Sequence, residues 1–175
     1  VWLEQDDYRI LAEKGAFVAT CPASNAKLGS GIADVLGMRK AGITVALGTD
    51  GVASNNNHNM FKDMYLLAMM QRAQLCTPVA LSAAEIIEIA TRNGALSQGR
   101  DDCGLIAPGA KADLIVLTTD TPWFQPVDSL VSNLVYSAQG SDVVLTMVDG
   151  SVLYRDGEFL SIDVEKAIAD TCAAS

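Results

Sequence analysis

Hydrophobic positions recur along the first hundred residues in two rhythms, a helical one and short extended runs. Leu3, Ile10 and Leu11 share one face of a helix predicted over Leu3–Lys14, and Gly15 supplies its stop. Ala16–Thr20 reads as a short buried strand, and the turn-forming residues from Cys21 through Gly31 read as a loop. A short helix over Asp34–Lys40 ends near Gly42, and Ile43–Gly48 forms the next strand. Helix, strand, helix, strand with short connections predicts consecutive units of a parallel α/β sheet. Two longer helices follow. Phe61, Met64, Tyr65 and Ala68 fall at helical spacing within Met60–Leu75. The second helix opens at Ser82, with Glu85 completing a capping box, and runs through Ile86, Ile87, Ile89 and Ala90 towards Gly94 or Gly99.

Past Gly104 the pattern changes. A strand is predicted over Asp113–Leu117 and a helix over Asp128–Ser137. Strands at Val143–Val148 and Ser151–Tyr154 flank Asp149-Gly150, a strong two-residue hairpin signal. Asp156-Gly157 turns the chain again into Glu158–Leu160, and Asp163 can cap a last helix with Val164, Ala167 and Ile168 inward. The expected organisation is an α/β segment over 1–103 and a mostly β segment over 104–175.

The net charge of −9 argues against a nucleic-acid groove, which needs clustered Lys and Arg. No segment has the apolar length of a transmembrane helix, and the acidic start VWLEQDDYRI does not look like a signal peptide. The four cysteines, Cys21, Cys76, Cys103 and Cys172, include no CxxC pair. Buried free thiols in a reducing cytoplasm are the expectation.

Candidate chemistry centres on Asp50. The apolar run Ile43–Gly48 stops at this carboxylate, and the small, amide-rich loop Gly51–Asn57 takes over. In parallel α/β architectures, reactive side chains sit at the carboxyl ends of strands. Asp-Gly is also a common turn former. His58 is the single histidine, read as a loop or helix-start residue ahead of a metal ligand. Asn55, Asn56 and Asn57 suit substrate binding or loop backbone equally. The methionines Met60, Met64, Met69 and Met70 read as core filler. Ser54 has no nearby histidine to activate it as a nucleophile.

Four segments together resemble the carboxyl-terminal part of the amidohydrolase superfamily, in the deaminase and chlorohydrolase group that includes methylthioadenosine/S-adenosylhomocysteine deaminases. They are CPASNAKLGSGIADVLGMRKAG, ITVALGTDGVASNNNHNMFKDM, ATRNGALSQG, and GLIAPGAKADLIVL with VVLTMVDGSVLYRDGEF. The resemblance implies a (β/α)8 TIM barrel beside a small β-sandwich. Ala16–Thr20 and Ile43–Gly48 would be the last two barrel strands, and the segment after 104 part of the sandwich. Asp50 would be the aspartate that ligates a divalent metal, zinc or alternatively iron, and shuttles a proton. Ser54 would contact an adenosine-type purine substrate, and Asn25 would shape the loop after the seventh strand. The family's HxH pair and its two later histidines have no counterpart here, and Thr20 stands where many relatives carry histidine. Val1-Trp2-Leu3 resembles the residues directly after the last of those histidines.

These correspondences lead to several expectations. The isolated chain should be inactive and should pair with the amino-terminal half of the barrel, and the complete protein should be a cytoplasmic homo-oligomer. Ala16, Val18, Ile43, Val45 and Leu47 should face the absent strands. The alternatives are a hydrolase of guanine or another aminated or halogenated heterocycle, and a non-catalytic half-barrel that pairs with another chain.

Overall fold

A computed structural model describes residues 1–174. In chain order the elements are α1 (Gln5–Glu13), β1 (Phe17–Thr20), α2 (Pro22–Lys27), α3 (Val35–Lys40), β2 (Thr44–Leu47), α4 (Val52–Asn55), α5 (Met60–Leu75), α6 (Ala83–Ala90), α7 (Arg92–Ser97), β3 (Leu114–Leu117), α8 (Leu130–Tyr136), β4 (Val143–Val148), β5 (Ser151–Arg155), β6 (Glu158–Phe159) and α9 (Val164–Ala174). β1 and β2 pair in parallel, with Phe17 opposite Thr44 and Thr20 opposite Leu47. α2 and α3 make the connection between them. The remaining strands form an antiparallel sheet in the order β3-β4-β5-β6.

The main core lies between β2 and the helices α3, α5, α6 and α8, around Val35, Val45, Leu67, Ile86, Ile89 and Val135. Ile43, Val45 and Leu47 are only 3%, 0% and 7% exposed. This reverses the expected face of β2, because these three side chains point into the helices. Phe17 and Ala19 of β1 are the residues that lie open, Phe17 at 43% exposure. Strands of a parallel sheet are covered on both faces and read as near-continuous apolar runs, so the pattern cannot tell one face from the other.

Local chemistry explains several element ends. Asp34 caps α3 by accepting the Gly37 N–H at 2.8 Å. Ser82 and Glu85 form the expected capping box on α6. Asp149 and Gly150 both have positive φ, 48° and 80°, which the tight turn between β4 and β5 requires. Asp163 caps α9 through the Lys166 N–H.

Four expectations are corrected. The segment after Cys21 contains α2, which starts on Pro22 at its first position, where a missing N–H costs nothing. The helix from Ser82 is broken at Thr91, so α7 can turn and place Asn93 Nδ2 2.8 Å from the Val45 carbonyl. α9 buries none of its residues, and Ile168 is 59% exposed. Of the cysteines, Cys103 is buried and Cys21 half-buried, while Cys76 and Cys172 are exposed.

Residues beyond 104 are tied back to those before it. The Arg100 guanidinium pairs with the Asp113 carboxylate at 3.0 Å, and the Lys111 N–H donates to the Asp102 carbonyl at 2.9 Å. α8 packs on α5 and α6, and Arg72 lies over the Tyr136 ring at 5.0 Å. Met64 is buried, and Met60 and Met69 pack against the core. Among the described residues no helix is long and apolar enough to cross a membrane.

Candidate functional site

The parallel pairing of β1 and β2 brings their carboxyl ends together, so that the residues after Thr20 and after Leu47 meet at one rim. Asp50 stands there in a left-handed backbone conformation, φ 61°, which non-glycine residues seldom adopt. Its side chain is exposed and held from two sides. Ser24 Oγ, on the buried first turn of α2, donates to Oδ2 at 2.6 Å, and the Gly51 N–H donates to Oδ1 at 2.7 Å. The Ser24 hydrogen bond is the largest cause of a lowered Asp50 pKa. The Gly51 N–H and the Ser54 hydroxyl add to it, and partial desolvation opposes it. The carboxylate is therefore a ready acceptor of hydrogen bonds and a preorganised anion facing the cleft.

The rim is built by short elements. Ser54 Oγ donates to the Gly51 carbonyl at 3.0 Å within α4. Asn55 is buried, and its amide donates to the Thr49 carbonyl at 2.7 Å, so of the three asparagines this one serves the loop backbone. Asn56 takes a left-handed conformation at the end of α4 and accepts from Lys27 Nζ. His58 is exposed, with Nδ1 3.0 Å from Thr49 Oγ1. The Cys21 thiol is pushed up by burial first and by the charges of Asp50 and Asp63 next. A cavity of about 350 Å³ opens beside the free edge of β1, lined by Thr20, Cys21, Asn25 and Asp50 among others.

Two members of this arrangement escape sequence reasoning. Cys21 lies half-buried in the cleft wall with Asp50. Asp63 lies fully buried beneath it. The available signal for Asp63 is its position three residues after Met60 and four before Leu67, a carboxylate on the apolar stripe of α5.

A catalytic zinc site takes three protein ligands and leaves one position open. Among the described residues no three His, Cys, Asp or Glu side chains converge in that way. Asp50 offers one carboxylate, so the residues of this chain do not by themselves fit a catalytic metal.

The model of the Amidohydrolase family matches residues 1–153. The chain is 42% identical over its full length to a 5'-deoxyadenosine deaminase of Methanosarcina mazei, spanning 40% of that protein. It is 47% identical over 95% of its length to a 5-methylthioadenosine/S-adenosylhomocysteine deaminase of Halobacterium salinarum, spanning 38% of that relative. An adenosine deaminase from Xanthomonas campestris, crystallised with bound zinc, superposes with a TM-score of 0.94 at 31% identity. That match covers 98% of this chain and 39% of the other. Atrazine chlorohydrolase from Arthrobacter aurescens, also a zinc complex, gives 0.92 at 30% identity over 99% of this chain and 39% of the other. The chain thus spans about two-fifths of the length of the relatives it matches, and it belongs to the amidohydrolase family.

Proposed function

We propose that these residues supply the Asp50-bearing share of a metal-dependent hydrolase that deaminates an adenosine-type purine such as 5'-deoxyadenosine, methylthioadenosine or S-adenosylhomocysteine. The observation that carries this reading is the Asp50 carboxylate at the end of β2, held by Ser24 and Gly51 at the mouth of the cleft. The deaminase relatives support it. On this reading β1 and β2 are the seventh and eighth strands of a (β/α)8 barrel. Residues 104–175 contribute β3–β6 to a small β-sandwich, and 1–103 form the barrel share.

The reaction forms a bond from water oxygen to the amino-bearing ring carbon and breaks the carbon–nitrogen bond, releasing ammonia. A divalent metal, zinc in this proposal, would be held by Asp50 together with ligands from outside this chain, and would supply the acidity that water needs to react at neutral pH. Asp50 takes a proton from the attacking water at its carboxylate and returns it to the departing nitrogen. Ser24 and Gly51 keep that carboxylate fixed throughout, and Ser54 contacts the substrate. The free thiols Cys21, Cys76 and Cys103 suit a reducing, cytoplasmic setting, and a homo-oligomer is the proposed state of the complete assembly. The likeness to atrazine chlorohydrolase favours a second reading, with a halogenated heterocycle in place of the purine.

Zinc calorimetry and ammonia release on the 175-residue chain alone test the first part of this proposal. Weak zinc binding and no turnover on the three nucleosides are expected. Tight one-to-one binding with turnover would overturn it.

A further inference from the structure

Asp63 is 0% exposed and lies on α5 beneath the cleft. Its helix turns Met64, Leu67 and Gln71 into the interior, so an apolar side chain at this position would suit the packing. Burying a carboxyl group is costly unless hydrogen bonds satisfy it, and an aspartate retained there needs a reason beyond filling space. Among the described residues no Lys, Arg or His forms an ion pair with it.

The two oxygens of Asp63 reach two short helices, α2 and α4, and each leads on to Asp50. Oδ1 accepts the Ala23 N–H at 3.0 Å. The next residue is Ser24, whose hydroxyl grips Asp50 Oδ2 at 2.6 Å. Oδ2 accepts from Asn55 Nδ2 at 3.0 Å. The same amide donates to the carbonyl of Thr49, directly before Asp50, at 2.7 Å. One arm therefore ends on the Asp50 side chain and the other on the peptide that leads into its left-handed backbone. We propose that Asp63 is a positioning residue that sets the carboxylate and backbone of Asp50 through these two arms, a role that rests on the reading of Asp50 as the proton-transfer group. A carboxyl group suits this task because both oxygens accept, whereas an asparagine would turn a donor towards one of two donors.

The test is NMR on the full 175-residue chain at one fixed pH. It reads the side-chain carboxyl carbon of Asp50 and the backbone shifts that report its left-handed conformation. Asp63→Asn should displace the carboxyl signal and abolish the left-handed signature. Leu67→Ala, a core truncation on the same helix, should leave both in place. The two arms separate in single variants: Ser24→Ala should move the carboxyl signal alone, and Asn55→Ala the backbone signature alone. If Asp63→Asn does not fold, Asn55→Ala decides. Asp50 signals unchanged in the deciding variant, or displaced equally by Leu67→Ala, would overturn the proposal. None of these readouts requires turnover, so their failure would leave the deaminase reading standing. A correctly positioned Asp50 in an inactive assembly would count against that reading and not against Asp63.

Discussion

Placing lysines at Phe17 and Ala19 should convert a self-associating chain into a soluble monomer without unfolding it. The magnitude follows from surface area. The chain exposes 10417 Å², whereas a compact monomer of 18.4 kDa should expose about 8,200 Å². The excess of roughly 2,200 Å² is more than twice the ~800 Å² that one partner contributes to a standard protein interface. Part of it lies at β1, whose one edge pairs with β2 and whose other edge meets no strand among the described residues. Phe17 is 43% exposed on the open face, and Trp2 nearby in sequence is 80% exposed. An uncovered apolar face next to an unpaired edge is a template for association. Phe17→Lys with Ala19→Lys removes the template while sparing the core, because both residues are exposed and such changes usually alter stability by no more than ~0.5 kcal/mol each. Sedimentation over a range of concentrations and binding of a hydrophobic dye provide the assay. The native chain should sediment as a concentration-dependent oligomer and bind dye, and the double variant should do neither. A native chain that is a compact monomer without dye binding would refute the reasoning.

Other expectations concern single side chains. Ser24→Ala should raise the Asp50 pKa towards the ordinary carboxylate range in a carbon-detected NMR titration, since the Ser24 hydroxyl is the main cause of its depression. Because the folded value is lowered, the associated stability is complete above the ordinary range and lost as pH falls through the lowered value; an unmoved pKa would contradict this. Asn93→Ala leaves the Val45 carbonyl unpaired in the interior and should cost about 1–3 kcal/mol in denaturant unfolding. A loss near zero would show that Asn93 does not anchor β2. Burial and hydrogen bonds to Asp102 and Asp113 push the Cys103 thiol up to about 11. At pH 8 maleimide should therefore label exposed Cys76 and spare Cys103 in the folded chain, and equal labelling rates would contradict that environment.

Features governed by neighbouring residues were legible in the chain itself. Asp149-Gly150 and Asp156-Gly157 mark their turns because a tight hairpin needs positive φ, and Ser82 with Glu85 marks the start of α6 through its own hydrogen bonds. Asp50 was legible because an apolar run that stops abruptly at a carboxylate marks the point where a buried strand gives way to an exposed loop. What escaped depends on distant partners. The break at Thr91 makes sense only once Asn93 has the Val45 carbonyl to reach. α2 is masked by its own composition, since Pro22, Ser24 and Asn25 are turn formers that tertiary contacts hold in a helix. The face of β2 was undecidable because apolar side chains occupy both sides of its pleat. The role of Asp63 depends on partners 40 and 8 residues away, the Ala23 N–H and the Asn55 amide.

The most direct measurement is ammonia release by this chain assembled with the amino-terminal portion of a deaminase relative and zinc, comparing native Asp50 with Asp50→Asn. Turnover of 5'-deoxyadenosine or methylthioadenosine should appear only in the assembly. Asp50→Asn should then lower it by at least ~100-fold, the lower end of what a positioned proton-transfer group contributes. An assembly in which Asp50→Asn retains activity within a few-fold of the native chain would contradict the role assigned to this carboxylate.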